Sequence, residues 1–235
     1  MNSFSKLAVL LTTALISSAC QSRYKSFDDA ITAARTTTQP VVNTASDGLP
    51  YFTSKTLNPI WQENGPAPIV RFPEVTWKDQ YNQTQNQDFL KGKRTIVAFF
   101  FSTCAGFCPM LIEKMRKMQA SLYDLPDVQF LGITVDPELD TPARLKDYSK
   151  QRGIKPSDPF KLLSADAATI QLLVRDTFAS QAILRENTDI RSFAHSEHFY
   201  LLDQQARLRG ILNGTRIDAP VEARKMLLAL RQKTN

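Results

Sequence analysis

Apolar residues fall into a regular pattern from Ile69 onward and into scattered islands before it. Val70 to Trp77 alternates apolar and polar positions, as a half-buried strand does, and Asp79-Gln80-Tyr81-Asn82 has the polarity of a turn. Thr95 to Phe101 and Val128 to Val135 are continuous runs of apolar, β-branched and aromatic residues, the pattern of strands buried on both faces. Phe160 to Leu163, Phe199 to Asp203 and Leu208 to Leu212 read as shorter strands, the last two joined by a turn at Gln204-Gln205-Ala206. Helical spacing separates these runs. One helix is expected from Pro109, as first helical residue, to about Tyr123, with Met110, Leu111, Lys114, Met115 and Met118 on its inner face. A second is capped by Thr141, opens on Pro142 and ends near Arg152. A third runs from about Asp166 to about Thr177, and a last one from Ala219-Pro220 to about Gln232. The order is β-β, β-α, β-α, β-α, β-β, α. Buried strands joined through helices pair in parallel, and the late hairpin adds an antiparallel edge.

The chain up to residue 65 is different. Lys6 followed by the short apolar run Leu7 to Ile16 and by Ser17-Ser18-Ala19 reads as a signal peptide over residues 1–19, too short to span a bilayer as a helix. A small residue before Cys20 resembles a bacterial lipobox, which makes Cys20 the expected lipidated first residue of the mature protein. Gln21, rather than Asp, at the next position favours outer-membrane sorting. The body is then expected on the periplasmic side of a bacterial membrane. Residues 20–65 are polar and threonine-rich and read as a tether and N-terminal arm, and residues 66–235 as one domain. Leu49-Pro50-Tyr51-Phe52 and Ile60-Trp61 are apolar islands expected to dock on that domain. The net charge of +6 comes from lysines and arginines dispersed among acids. No basic stripe with interleaved aromatics is present, so nucleic-acid binding is not expected.

Cysteine chemistry is concentrated at one place. Of three cysteines, Cys20 belongs to the leader and the other two form Cys104-Ala105-Gly106-Phe107-Cys108-Pro109, between a buried strand and a helix. Both sulfurs are then expected to face the positive end of a helix dipole, which favours thiolate. Thiolate both binds metal and attacks disulfides, and in an exported protein such a pair can also form a structural disulfide. The pair alone leaves these uses open.

Three separated stretches resemble the Sco/SenC family of copper-binding assembly proteins, a branch of the thioredoxin-like superfamily. They are Phe100-Phe101-Ser102-Thr103-Cys104 through Cys108-Pro109, Thr134-Val135-Asp136-Pro137-Glu138-Leu139-Asp140-Thr141-Pro142, and His195-Ser196-Glu197-His198-Phe199-Tyr200-Leu201-Leu202-Asp203. Phe160 to Ser164 and Leu49-Pro50-Tyr51 are weaker matches in the same order. Ala105 and Ala194 depart from the family pattern, which carries Pro after the first cysteine and Asp before the histidine in many members. The resemblance implies an α/β, thioredoxin-like fold with a central mixed sheet flanked by helices and an N-terminal extension. It implies copper, as Cu(I) or Cu(II), held by Cys104, Cys108 and His195, with Asp136 nearby. A set of two sulfurs and one imidazole nitrogen suits that metal. His198 is expected to point elsewhere. Asp140-Thr141-Pro142 is read as a helix start and the methionines as core.

The implied role is a metallochaperone, not an enzyme. It would deliver copper to, or maintain the thiols of, the binuclear copper centre of cytochrome c oxidase or act on another periplasmic copper or thiol protein. The alternative from the same cysteines is a periplasmic thiol-disulfide reductase. Reductases of this fold place a proline beside the cysteine pair, whereas no proline occurs here between Pro159 and Pro220, and His195 takes that place in the motif match. No residue pattern supports a peroxidase-like use.

Overall fold

A computed structural model describes residues 48–53, 57–62, 68–178 and 197–231. The leader, Cys20 and His195 lie outside these described residues.

Two strands with no exposed position organise the rest: β5 (Arg94–Phe100) and β6 (Val128–Thr134), parallel and in register from Arg94 opposite Val128 to Phe100 opposite Thr134. Their largely apolar character, Ile96 to Phe100 and Phe130 to Ile133, follows from being covered on both faces. On one side lie β7 (Phe160–Ser164), parallel to β6, then β3 (Trp77–Asp79) and the edge strand β4 (Thr84–Gln85), both antiparallel to their neighbours. On the other side lie β8 (His198–Leu202) and β9 (Leu208–Asn213), an antiparallel hairpin as expected. The sheet order is β4-β3-β7-β6-β5-β8-β9. Four α-helices lie among the described residues: α1 (Phe107–Ser121), α2 (Pro142–Gln151), α3 (Ala167–Gln171) and α4 (Ala219–Arg231). The chain beyond α3 winds more loosely, as a π-helix over Leu172–Phe178. Phe178 at its end packs its ring against Phe72, Phe99 and Tyr200.

Local signals explain the elements that match expectation. Thr141 Oγ1 accepts from the Arg144 amide and Pro142 opens α2, while Asp166 accepts from the Thr169 amide at the start of α3. Three expectations need correction. Val70 to Trp77 is not one strand. Isolated pairings tie Ile69 to Thr53 and Arg71 to Arg207, Pro73 brings no N–H, and regular pairing begins only at Trp77. Helix α1 starts at Phe107, so Pro109 is its third residue, where the amide would still have no partner inside the helix. Its inner face is Cys108, Leu111, Ile112, Met115 and Met118; Met110 is 40% exposed and Lys114 reaches out to the Gly214 and Arg216 carbonyls.

Two buried arginines mark the end of the sheet where β5 begins. Arg94, with no exposed side-chain surface, donates Nε to Asp127 Oδ2 at 2.6 Å, Nη2 to Asp127 Oδ1, and Nη1 to the Leu227 carbonyl of α4. Arg209, on β9, donates to the carbonyls of Pro50 at 3.0 Å and Leu49 at 2.9 Å, and lies 3.9 Å over the Tyr51 ring. Arg207 lies on the same ring at 5.0 Å, and Asp203 pairs with both arginines. The short hairpin of β1 (Tyr51–Phe52) and β2 (Pro59–Ile60) is thereby fastened to the domain, with Tyr51 and Phe52 buried and Trp61 at 42% exposure. The first island therefore docks as expected, and the second only through a half-buried Ile60.

Candidate metal centre

The cysteine pair sits where β5 runs out of sheet. Beyond Phe100 the chain turns, the Cys104 amide donating to the Phe101 carbonyl at 3.2 Å, and α1 begins at Phe107. Thr103, Ala105 and Gly106 are exposed, but Cys104 and Cys108 are both buried, and both are free thiols. Gly106 caps α1 without a side-chain acceptor, which leaves the first amides of the helix for the cysteines.

The two sulfurs are not equivalent. Burial pushes the Cys104 thiol up, but a hydrogen bond from the Cys108 thiol and the amides of Cys108, Gly106 and Phe107 together outweigh it and bring Cys104 below the ordinary thiol value. Burial and the bond to Cys104 push Cys108 up to about 12. Cys104 is thus the acceptor of the pair and Cys108 the donor. At pH 8 and limiting iodoacetamide, Cys104 is expected to alkylate at least ~10-fold faster than Cys108, since thiolate is the reactive form. Peptide mass spectrometry reads the ratio, and equal labelling would contradict the assignment.

The loop after β6 lies beside this turn because Phe100 and Thr134 are register partners. Its Asp136 amide donates to Thr134 Oγ1 at 3.0 Å, and Asp136 Oδ2 is buried with no hydrogen-bond partner among the described residues. Tyr148 of α2 stacks on Phe100 with ring centres 5.4 Å apart. Its hydroxyl is buried without a partner among the described residues, and burial pushes it up to about 12, with charge on Cys108 or Cys104 acting in the same direction. His198 opens β8, half-buried, and burial lowers its affinity for a proton.

Asp140 is the residue that sequence reasoning missed. It is fully buried and accepts from the Ser102 amide at 2.9 Å, from Ser102 Oγ, and from Thr134 Oγ1 at 2.5 Å. Polar Ser102, just past β5, and Thr134, at the end of β6, each following an apolar run, were the available signal for a buried acceptor.

The described residues contain no group of three or more His, Cys, Asp or Glu side chains placed to hold a metal ion. They do supply two adjacent soft sulfur donors, and the neighbouring Asp136 loop and α2 each carry a buried polar atom, Asp136 Oδ2 and the Tyr148 hydroxyl, with no hydrogen-bond partner among the described residues. Such a half-site fits Cu(I), which thiolates favour.

An SCO2-like protein of Rickettsia prowazekii is 29% identical over 132 residues, 55% of this chain and 62% of that protein. The chain therefore spans about six-tenths of the length of that relative. The structure of BsSco, described as a member of the Sco family of cytochrome c oxidase assembly proteins with a disulfide switch, superposes with a TM-score of 0.60 at 18% identity, over 70% of this chain and 95% of that one. Yeast Sco1 with copper bound superposes with a TM-score of 0.53 at 23% identity, over 72% and 95%. These likenesses establish the thioredoxin-like fold expected from the sequence. The family described as SCO1/SenC matches residues 73–229, which takes in the cysteine turn, the Asp136 loop and the β8–β9 hairpin, and the chain belongs to that family.

Proposed function

We propose that this protein is a periplasmic copper-binding metallochaperone. In this reading one copper ion is held by Cys104, Cys108 and His195. It is delivered to the binuclear copper centre of cytochrome c oxidase, or the thiols of that centre are kept reduced. The observation that carries the reading is the pair of free, buried thiols at the amino end of α1. A pair that is not locked as a disulfide, and is shielded from water, suits a soft ion that must be held and then given up. Membership of a family that includes a yeast protein crystallised with copper, and one described as an oxidase assembly protein, supports it. Copper would displace the Cys108 proton to solvent and leave both sulfurs as thiolate ligands. Asp136 would sit beside the ion and steady the ligands around it. Lipidation at Cys20 would tether the domain to the membrane, outer membrane favoured, and detergent phase partitioning of a Cys20→Ala protein tests that part.

Metal analysis of protein purified from the periplasm in reduced form is the test. About one copper per chain is expected. His195→Ala should lose tight Cu(II) binding while its thiols still take Cu(I), and unchanged affinity for both ions would remove His195 from the site.

One observation favours the second reading, a thiol-disulfide reductase: an acceptor sulfur beside a donor sulfur is the arrangement that attacks a disulfide and then resolves it. Insulin reduction by the His195→Ala protein separates the two. Full activity independent of copper would favour the reductase.

A further inference from the structure

The turn that carries Cys104 has little to hold it. Thr103, Ala105 and Gly106 are exposed, and Gly106 sits at φ −106°, ψ −108°, outside the regular backbone regions. Among the described residues, apart from the Cys108 thiol on Cys104, the side-chain hydrogen bonds into residues 102–106 come from Asp140 and Arg144. Asp140 takes both the amide and the hydroxyl of Ser102, and Arg144 Nε donates to the same hydroxyl at 2.7 Å. The Asp140 amide donates to the Asp136 carbonyl at 2.8 Å. Arg144 also pairs with the Asp140 carboxylate at 3.6 Å, closing the network at its solvent side.

We propose that Asp140 is a positioning residue for the cysteine pair, fixing through its carboxylate the turn that carries Cys104 and through its backbone the loop that carries Asp136. This rests on the reading of Cys104 and Cys108 as the functional thiols. The chain of contacts is short. With Phe101 O bonded to Cys104 N and Ser102 N bonded to Asp140, two points on a four-residue turn are fixed. The Cys104 sulfur is then set against the first amides of α1. Thr134 Oγ1 ties the carboxylate to the end of β6, so the turn and the Asp136 loop keep one spacing. Asp140 touches neither sulfur; it acts through Ser102. Loss of the clamp should let Cys104 drift from the amides that make it the more reactive sulfur, and should loosen any metal the pair holds.

The experiment compares Asp140→Asn, Ser102→Ala, the double variant, and Asp127→Asn, which breaks an ion pair at the opposite end of β5. Asparagine keeps the size of Asp140 but presents an NH2 to hydroxyl and amide donors. In metal-free protein well below its melting temperature, Asp140→Asn should shrink the alkylation preference for Cys104 over Cys108 about fivefold. Its sulfur-to-Cu(II) absorption band should shift and broaden, and copper should dissociate at least about tenfold faster. Ser102→Ala keeps the amide bond and should move each quantity in the same direction by about twofold; the double variant should add little to Asp140→Asn. Asp127→Asn should lower the melting temperature and leave all three unchanged. Should Asp140→Asn fail to fold, Ser102→Ala carries the test alone. A wild-type preference and spectrum in the clamp variants would overturn the proposal, as would equal changes in Asp127→Asn. A wild-type protein that takes up no copper would instead refute the copper reading, and the alkylation arm would still judge Asp140.

Discussion

Cys104→Ser protein will retain no copper in either oxidation state after dialysis against a weak chelator, while the wild-type chain retains about one ion. The loss is expected to be complete because Cys104 is the sulfur that the amides of Gly106, Phe107 and Cys108 favour as thiolate, and a serine hydroxyl is a hard, protonated donor there. Cys108 cannot substitute. In the Cys104→Ser protein it stays buried and has no second sulfur to share an ion with. The same asymmetry sets a pH dependence in the wild-type protein. Copper must displace at least the Cys108 proton, so affinity should rise at least about tenfold per pH unit across the neutral range. Chelator competition between about pH 6.5 and 8.5 measures the slope. A flat profile would mean that Cys108 does not bind as thiolate.

Asp127→Ala should cost about 3 kcal/mol and lower the melting temperature by roughly 10 °C, read by calorimetry or circular dichroism. Arg94 has no exposed side-chain surface, and without Asp127 its guanidinium is left with the Leu227 carbonyl alone among its side-chain bonds. The figure sits at the low end for a broken buried pair because the Asp127 side chain keeps about a third of its surface in water. Acid should produce the same effect without mutation. Burial raises the Asp127 carboxyl, but the bonds and charge of Arg94 outweigh this and hold it below the usual carboxylate range. A depressed carboxyl stabilises the fold fully above its unfolded value, about pH 4, and that stabilisation is lost as pH falls below it through the folded value. The Asp127→Ala protein should therefore show a shallower loss of stability below about pH 4. An unchanged melting temperature would show that Arg94 finds another partner.

Legibility in the sequence followed the range of the interactions. Runs buried on both faces announce themselves, so β5 and β6 were found to within a residue at each end. Helix α2 was found at its first residue because Thr141 and Pro142 act on their immediate neighbours. The start of α1 was missed by two residues because its cap, Gly106, contributes no side-chain bond to read. Met110 had core spacing yet is 40% exposed, because spacing places a residue on a helix face without saying whether that turn is covered. At the site, the cysteine pair was plain, but its asymmetry was not, since that depends on which amides point at which sulfur. Asp140 was read as a helix start because its partner Ser102 lies 38 residues away, and nothing local distinguishes a clamp from a cap.

The fastening of Tyr51 by Arg209 also decides how the molecule would bear load. Arg209 lies on β9 beside Gly210, whose register partner Leu201 faces Ile96, so the N-terminal hairpin is pinned near the first residues of β5. Cys104 lies past the last residue of the same strand, roughly 20 Å further along at strand spacing. Tension on the chain ahead of Gly48 would therefore be taken up by two carbonyl bonds and a stacked ring on the sheet edge. It would reach the thiol turn only across the ladder of the sheet. Displacement of the N-terminal hairpin would leave the geometry of the sulfurs undisturbed.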